Sequence, residues 1–166
     1  MKRTRSLLVI ALVGLVPLGG WLYAQPEAAP VLTAQDAHEI RQLYATMYQG
    51  SDFRDADLWL STFAEDGVFV FPTGDEVAGR AALSEWRAKS FRGETGDSKR
   101  RHAFTTIRMT PTPDGEASVR AYWVELDVSV RPSAIKNTGT ADDIFVKTSD
   151  GWKFKRHTVH LDPATN

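Results

Sequence analysis

The order of apolar and polar positions predicts helices in the first half of the chain. Apolar residues recur at the spacing of one helical face from Ile40 to Tyr48. Thr33 and Asp36 have the pattern of a capping box, so we expect this helix to begin at Thr33. Gly50 is expected to end it. The elements expected up to position 91 are helices over 33–50, 52–64 and 80–91 and a buried strand over 68–71.

From position 101 onwards the pattern changes to the alternation that is typical of strands. The expected strands are 101–110, 116–130, 140–148 and 152–161. The last two flank a Ser-Asp-Gly turn, and Asp-Gly is a strong hairpin signal because it accepts positive φ. Trp152 and Phe154 stand two apart after this turn, so both point to one face and can anchor a core. The length of 116–130 indicates a bend or a bulge.

These elements predict an α+β fold. Hairpin connections make consecutive strands antiparallel, so we expect a curved antiparallel sheet wrapped around three N-terminal helices. Such a sheet leaves a conical pocket, open at one end, between itself and the helices. The domain is expected to span 33–162, after a linker at 25–32 that is rich in proline and alanine.

The first 24 residues have the features of a targeting segment. Positive charges at Lys2, Arg3 and Arg5 precede an apolar run, 7–16, that is short for a membrane span. A signal peptide cleaved near Gln25 is expected, and an uncleaved N-terminal anchor is the alternative. The mature protein is therefore expected to be exported, either periplasmic or secreted. Only an uncleaved segment 1–24 would contact a membrane.

Composition narrows the functional classes. The 166 residues contain no cysteine, which excludes disulfides, thiolate catalysis and cysteine metal sites. The formal net charge is −1, and we expect no nucleic-acid partner, because phosphate contacts require clustered lysine and arginine. The sequence has no nucleophile elbow, no phosphate-binding glycine loop and no HExxH, so no cofactor is expected.

Five fragments carry a family resemblance. The chain contains, in this order, LWLSTFAEDGVF at 58–69, GRAAL at 79–83, RH at 101–102, ASVRAYW at 117–123 and DGWKF at 150–154. Together they resemble the SnoaL-like families of the nuclear transport factor 2-like superfamily, which include scytalone dehydratase and polyketide cyclases. The resemblance covers about 34–161 and implies a cystatin-like cone. It implies no single reaction, because this fold hosts several enzyme classes and pure binding proteins.

The resemblance to scytalone dehydratase implies two catalytic candidates, Tyr48 and His102. In that family a tyrosine–aspartate pair at the end of the first helix faces a histidine early in the second strand. The aspartate falls on Gln49 here, and glutamine cannot take up a proton at neutral pH. The family's second histidine is expected within 122–126, where this chain has none.

The residues themselves also favour His102. A strand histidine that lies beside Phe104 and faces a cavity can transfer a proton near neutral pH. The alternative is a structural histidine bonded to a neighbour. Tyr48 either donates a hydrogen bond to a ligand oxygen or packs in the core. Asp143 and Glu125 are either buried carboxylates near the site or exposed acids.

Aromatic side chains exceed what a small core requires, and we expect several to bind a ligand. The ligand-binding candidates are Phe63, Phe69, Phe71, Trp86, Phe104, Tyr122 and Phe145. No metal site is expected, because His157 and His160 stand three apart on a strand and point to opposite faces. The adjacent residues Asp142 and Asp143 are likewise expected on opposite faces.

Three functional hypotheses follow. The first is an exported domain that binds a small, largely apolar molecule in its conical pocket. The second is a lyase or isomerase that uses His102 as general acid and base, and the third is a non-catalytic dimerisation module. A buried carboxylate within reach of His102 favours the second, and a pocket filled by side chains favours the third. We also expect a homodimer across the outer sheet face, because either Tyr122 or Trp123 must point outwards there.

Overall fold

The computed structural model of the protein describes residues 30–163. The predicted targeting segment at 1–24 and positions 25–29 of the predicted linker lie outside the described residues. Within residues 30–163, no helix has both the length and the apolar character that crossing a membrane requires.

Residues 30–163 form three helices and a single six-stranded sheet. The helices are α1 (Ala34–Asp52), α2 (Ala56–Leu60) and α3 (Arg80–Phe91). The strands are β1 (Phe63–Val70), β2 (Glu76–Ala78), β3 (Arg100–Pro111), β4 (Ala117–Asp127), β5 (Ala134–Thr148) and β6 (Gly151–Leu161). The strand order is β2-β1-β6-β5-β4-β3. This curved sheet around helices confirms the predicted α+β cone.

Helix α1 begins where the capping box predicts. The Asp36 N–H donates to the Thr33 hydroxyl at 3.1 Å, and the Thr33 N–H donates to the Asp36 carboxylate at 2.9 Å. The helix continues past Gly50 to Asp52, so the prediction that it ends at Gly50 is wrong. Gly50 serves close packing instead, because a Cβ there would lie 2.6 Å from the backbone nitrogen of Trp59 in α2.

Asp36 also connects the start of α1 to the last hairpin. Its buried carboxylate accepts a hydrogen bond from the Trp152 indole at 2.8 Å and from the Lys147 ammonium at 2.7 Å. The bond from Lys147, followed by the bonds from Thr33 and Trp152, holds the pKa of Asp36 well below its ordinary value of 3.8. The native state therefore favours the ionised form of this carboxyl.

The low pKa of Asp36 predicts a contribution to stability that acid removes. The contribution is complete above the unfolded-state pKa of about 3.9 and is lost as the pH falls towards the lower folded-state value. We therefore expect Asp36→Asn to be less stable than wild type at neutral pH and to lose less stability on acidification below about pH 5. Urea unfolding of both proteins at several pH values measures this. Equal losses of stability on acidification would contradict it.

The sheet is mixed, which corrects the expected wholly antiparallel topology. Strands β3 to β6 form the predicted antiparallel meander, but β1 pairs with β6 in parallel, with Phe63 opposite Phe154. The unpaired edge of β6 needs hydrogen-bond partners, and β1 supplies them. As a result β1 begins earlier than the predicted strand, and α2 is much shorter than the predicted helix over 52–64. The short β2, expected as a loop, pairs with the other edge of β1.

Irregular pairings curve the sheet and decide which side chains face its inside. The pairing register shifts between β3 and β4, between β4 and β5 and between β5 and β6. In the second of these shifts the extra residue is Lys136 of β5, because Glu125 pairs with Asn137 and Leu126 with Ile135. The bulge expected within 116–130 therefore lies in the partner strand.

In the pairing of β5 with β6, Lys155 is an extra residue that has no partner on β5, so the alternation of faces restarts after it. Phe154 and His157 are therefore both buried on the concave face although they stand three apart.

The core lies between α1 and the concave face of the sheet. Tyr44 of α1 contacts the rings of Phe145 and Phe154 edge-on, with centroids 5.6 and 5.3 Å apart. Trp152 and Phe154 are both buried, which confirms that the last hairpin anchors the core. The core fills one end of the cone and leaves a cavity at the other.

Candidate functional site

A cavity of about 280 Å³ lies between the end of α1, α3 and the concave face of the sheet. Its aromatic wall residues are Tyr48, Trp59, Phe69, Trp86 and Trp123. Its polar wall residues are Ser51, Arg87, Ser90, Arg100, His102 and Glu125. A second cavity, about 360 Å³, shares Tyr48 and His102 as wall residues. The volume of the first cavity lies near the lower end of the roughly 300–1,000 Å³ that is typical of small-molecule sites.

His102 and Asp52 form a hydrogen-bonded pair in this wall. Oδ1 of Asp52 lies 2.6 Å from Nδ1 of His102, and the His102 N–H donates to Oδ2 of Asp52 at 3.0 Å. A carboxylate only accepts hydrogen bonds, so we assign the proton of the neutral imidazole to Nδ1. Nε2 is then left as the acceptor. The buried carboxylate of Asp52 fixes this tautomer and the orientation of the ring, which suits general acid–base chemistry.

Asp52 supplies the carboxylate that the family resemblance placed at Gln49. Gln49 is exposed, and Asp52 follows it after about one helical turn. Asp52 lies beyond the helix end expected at Gly50, so the predicted helix did not include it as a partner of His102. The helical spacing held a signal, since Tyr48 and Asp52 are four apart and share one face of α1.

A second histidine pair lies deeper, at His157 of β6. Nδ1 of His157 lies 2.7 Å from Oδ1 of Asp143, and its Nε2 lies 2.9 Å from the Tyr48 hydroxyl. Because Nδ1 donates to the carboxylate, Nε2 accepts from Tyr48. The Tyr44 hydroxyl donates to the other oxygen of Asp143. The structure thus has a further buried histidine on β6, whereas the resemblance placed the second histidine of the family within 122–126. The shift at Lys155, which local alternation does not reveal, places His157 on the concave face.

Tyr48 connects the two histidine pairs. Its ring lies 4.3 Å from that of Phe104 and 4.9 Å from that of His102, measured between centroids. Burial of the phenol, and then the charge of Asp143, raise the pKa of Tyr48 well above its ordinary value of 10. Tyr48 therefore stays protonated at neutral pH. Its single hydroxyl proton is donated to Nε2 of His157, so towards a ligand the Tyr48 oxygen can only accept a hydrogen bond.

Arg87 is the unexpected member of the wall. It is 7% exposed, and its guanidinium carbon lies 3.9 Å from the ring centroid of Trp59 and 4.6 Å from that of Trp86. Its Nε has no hydrogen-bond partner among residues 30–163. Burial lowers the pKa of Arg87 to about 9, so the side chain remains charged at neutral pH. A desolvated cation–π contact contributes about 2 kcal/mol, whereas burying an ion costs several, so the rings compensate only part of that cost.

Four of the seven aromatic candidates line the two cavities or pack directly behind their walls. Phe69 and Trp86 line the first cavity and Phe104 lines the second. Phe71 packs behind them, with ring centroids 5.0 Å from Phe69 and 5.1 Å from Trp86.

The other three candidates, Phe63, Phe145 and Tyr122, line neither cavity, which corrects their prediction. Phe63 and Phe145 are fully buried in the core, because β1 pairing and β5 register turn them inwards. Tyr122 is 52% exposed on the convex face, and its neighbour Trp123 faces the cavity.

The remaining charged candidates follow the predicted alternation. Asp142 lies on the convex face, where it accepts hydrogen bonds from Arg120 and lies 3.3 Å from His160, whereas Asp143 is buried with His157. His157 and His160 thus face opposite sides of β6. Within residues 30–163 no three metal-binding side chains lie close enough to hold one ion.

Glu125 is buried in the cavity wall. Its carboxylate accepts hydrogen bonds from Arg100 at 3.2 Å and from Asn137 at 2.7 Å.

The comparisons with known proteins agree with this architecture. The sequence matches the SnoaL-like domain family over residues 33–158. No curated protein matches the sequence. A solved structure of a protein of unknown function with a cystatin-like fold, from Nostoc punctiforme, is 22% identical, with a TM-score of 0.69. That similarity covers 80% of this chain and 96% of the other.

Two further solved structures are informative. A candidate scytalone dehydratase from Novosphingobium aromaticivorans is 21% identical, with a TM-score of 0.64, over 78% of this chain and 85% of the other. A protein from Catenulispora acidiphila in complex with S-DNPA is 23% identical, with a TM-score of 0.66, over 78% of this chain and 96% of the other. At these identities the similarity is one of fold.

Proposed function

Because the chain belongs to the SnoaL-like domain family, a family of ligand-binding domains, we propose that it is a lyase or isomerase acting on a small, largely apolar molecule in its cavity. The observation that carries this proposal is the buried carboxylate of Asp52, 2.6 Å from His102. A histidine held by a carboxylate at the wall of an open, aromatic cavity supports acid–base chemistry over simple binding. An open cavity also speaks against a module whose pocket is filled by side chains.

In the proposed reaction, Nε2 of His102 removes a proton from a carbon atom next to a carbonyl group of the ligand. The electron pair of the broken C–H bond moves into an enolate, and Asp52 stabilises the imidazolium that forms. Tyr48 contacts His102 through its ring, and its hydroxyl proton stays in the hydrogen bond to Nε2 of His157. The imidazolium then returns the proton to a different atom in an isomerase or to a leaving group in a lyase.

Two of the structural neighbours support the proposal at the level of the fold. One is a candidate scytalone dehydratase, and another holds an organic ligand, S-DNPA. The similarity to both is one of fold, and the reaction proposed for this chain rests on its own residues. For this chain, the aromatic wall with its three tryptophans favours a ligand that contains a flat ring.

Deuterium exchange into 2-tetralone tests the proton-transfer step without knowledge of the natural substrate. The wild-type protein is expected to accelerate exchange at C1 in D₂O, as followed by NMR. His102→Gln and Asp52→Asn are expected to reduce the acceleration by about 10²-fold or more. His160→Gln is the matched control, because that strand histidine is exposed on the convex face. This variant is expected to accelerate the exchange into 2-tetralone as much as wild type does. Equal rates in His102→Gln and wild type would contradict the proposal.

We also propose that residues 1–24 direct export and that the mature chain begins near Gln25. The proposal is supported by the positively charged residues at the start of this segment and by the short apolar run, 7–16, that follows them. Mass spectrometry of the protein recovered from an expressing cell measures the N-terminus. Recovery of a chain that still starts at Met1 in the membrane fraction would favour the uncleaved anchor.

A homodimer across the convex face of the sheet is a further proposal. Tyr122 is supported as a contact because it is 52% exposed in the middle of β4, on a face that none of the three described helices covers. Sedimentation at tens of micromolar is expected to give a dimer, and Tyr122→Asp is expected to give a monomer. Ser84→Asp, an exposed position on α3, is the control and should remain dimeric. A monomeric wild-type protein would remove the idea.

A further inference from the structure

Among residues 30–163, the charged groups around the cavity leave one cation without a balancing anion. The buried carboxylates there already have partners: Asp52 has His102, Asp143 has His157 and Tyr44, and Glu125 has Arg100 and Asn137. Among residues 30–163 Arg87 forms no ion pair with a carboxylate, and its guanidinium contacts the rings of Trp59, Trp86 and Phe91 instead. Within the described part of the chain, Arg87 is therefore a buried charge that only aromatic rings accompany.

Position and orientation make Arg87 accessible to a ligand. It lines the same cavity as His102, and its guanidinium lies over Trp59 and Trp86, which belong to the aromatic wall. Stacking against these rings fixes the plane of the guanidinium, so its N–H groups are already ordered before a ligand arrives. The Nε–H of Arg87 is enclosed and has no acceptor among residues 30–163, so the described residues leave this guanidinium short of hydrogen bonds.

We propose that Arg87 is an anion-binding subsite and that the cavity takes a small aromatic carboxylate, with its acid group on Arg87 and its ring against the tryptophans. A planar carboxylate matches the fork of N–H donors in a guanidinium. A single uncompensated cation balances one negative charge, which favours a carboxylate over a phosphate with its charge of nearly two. The inference rests on the proposed function and adds the charge of the ligand to it.

The sequence contains a signal for this role. Leu83 and Arg87 are four apart on α3, so Arg87 occupies a position in the buried stripe of that helix. Arginine in such a stripe is expected to be paired when it has only a structural role. Arg80, at the start of the same helix, is exposed instead. Its Nε lies 4.0 Å from a carboxylate oxygen of Glu65, an ion pair of the kind that surface arginines usually form.

Isothermal titration with 2-naphthoate and with neutral 2-naphthamide, two molecules of nearly the same shape, tests the subsite. Wild type is expected to bind the carboxylate about 10- to 100-fold more tightly than the amide, as a charge-assisted hydrogen bond allows. Arg87→Met keeps the apolar stem and is expected to lose this preference. Arg87→Gln provides a second variant, and thermal unfolding checks that each is folded. Arg80→Met, on the same helix, is the control and should keep the preference.

The outcomes separate this inference from the proposed function. Equal affinity of wild type for the two probes, or a preference that persists in folded Arg87→Met and Arg87→Gln, overturns the anion subsite and leaves ligand binding in the cavity intact. Binding of neither probe to wild type overturns the subsite and also counts against an aromatic ligand in the proposed function. Loss of the preference in both Arg87 variants and its retention in Arg80→Met supports the subsite.

Discussion

Replacing Trp152 with alanine is expected to lower the free energy of unfolding by about 3–5 kcal/mol, the usual cost of truncating a buried tryptophan. The side chain is 4% exposed, so the truncation leaves a cavity in the core that the surrounding strands fill only in part. The indole N–H also donates to Asp36 at 2.8 Å, and the substitution removes this bond from the start of α1. Urea unfolding followed by circular dichroism measures the loss.

Trp152→Phe separates the two contributions. Phenylalanine keeps most of the buried ring but cannot donate to Asp36, so we expect a smaller loss, of about 1–2 kcal/mol. A midpoint of unfolding equal to that of wild type in Trp152→Ala would mean that the last hairpin does not anchor the core.

Replacing Asp143 with alanine is expected to have an effect of similar size, about 3–5 kcal/mol, because one partner of a buried pair is removed. Asp143 accepts hydrogen bonds from His157, from the Tyr44 hydroxyl and from the Thr158 N–H. All three donors lose their acceptor at a position where Asp143 and His157 are almost inaccessible to water. The substitution also releases the ring of His157, which holds the Tyr48 hydroxyl.

The neighbouring residue provides a matched control. Asp142 carries the same carboxylate one position earlier, but it faces the convex side and bonds Arg120 at 2.6 and 2.9 Å. Ion pairs at an exposed surface contribute about 0–1 kcal/mol, so we expect Asp142→Ala to remain within that range of wild type. Equal losses in the two alanine variants would contradict the burial of the Asp143–His157 pair.

Much of the fold was predictable because its signals are local. The capping pair at Thr33 and Asp36 marks the start of α1, and the Asp-Gly turn marks the last hairpin. Alternation placed Asp142 and Asp143 on opposite faces, which the structure confirms. The helix over 80–91 was also predicted with its observed bounds. Each of these features depends on a few consecutive residues, whose dihedral preferences and hydrogen bonds do not require the rest of the chain.

The pairings between distant segments were not predictable in this way. The parallel contact of β1 with β6 joins strands from opposite ends of the domain, and it turned part of an expected helix into a strand. The register shift at Lys155 determined that His157 faces inwards. Register and bulges depend on the fit between strands, since one shifted residue moves every later side chain to the other face.

The sequence by itself determined the cone, its family and two residues of the candidate site, Tyr48 and His102. Only the tertiary structure joined Asp52 to His102 across 50 positions and left Arg87 buried without a carboxylate among residues 30–163. The physical reason is that the charge and hydrogen-bond partners of a buried group come from whichever segments fold around it. Spacing along a strand or helix indicates the face on which a side chain lies, and the partner opposite that face is set by the packing of the whole domain.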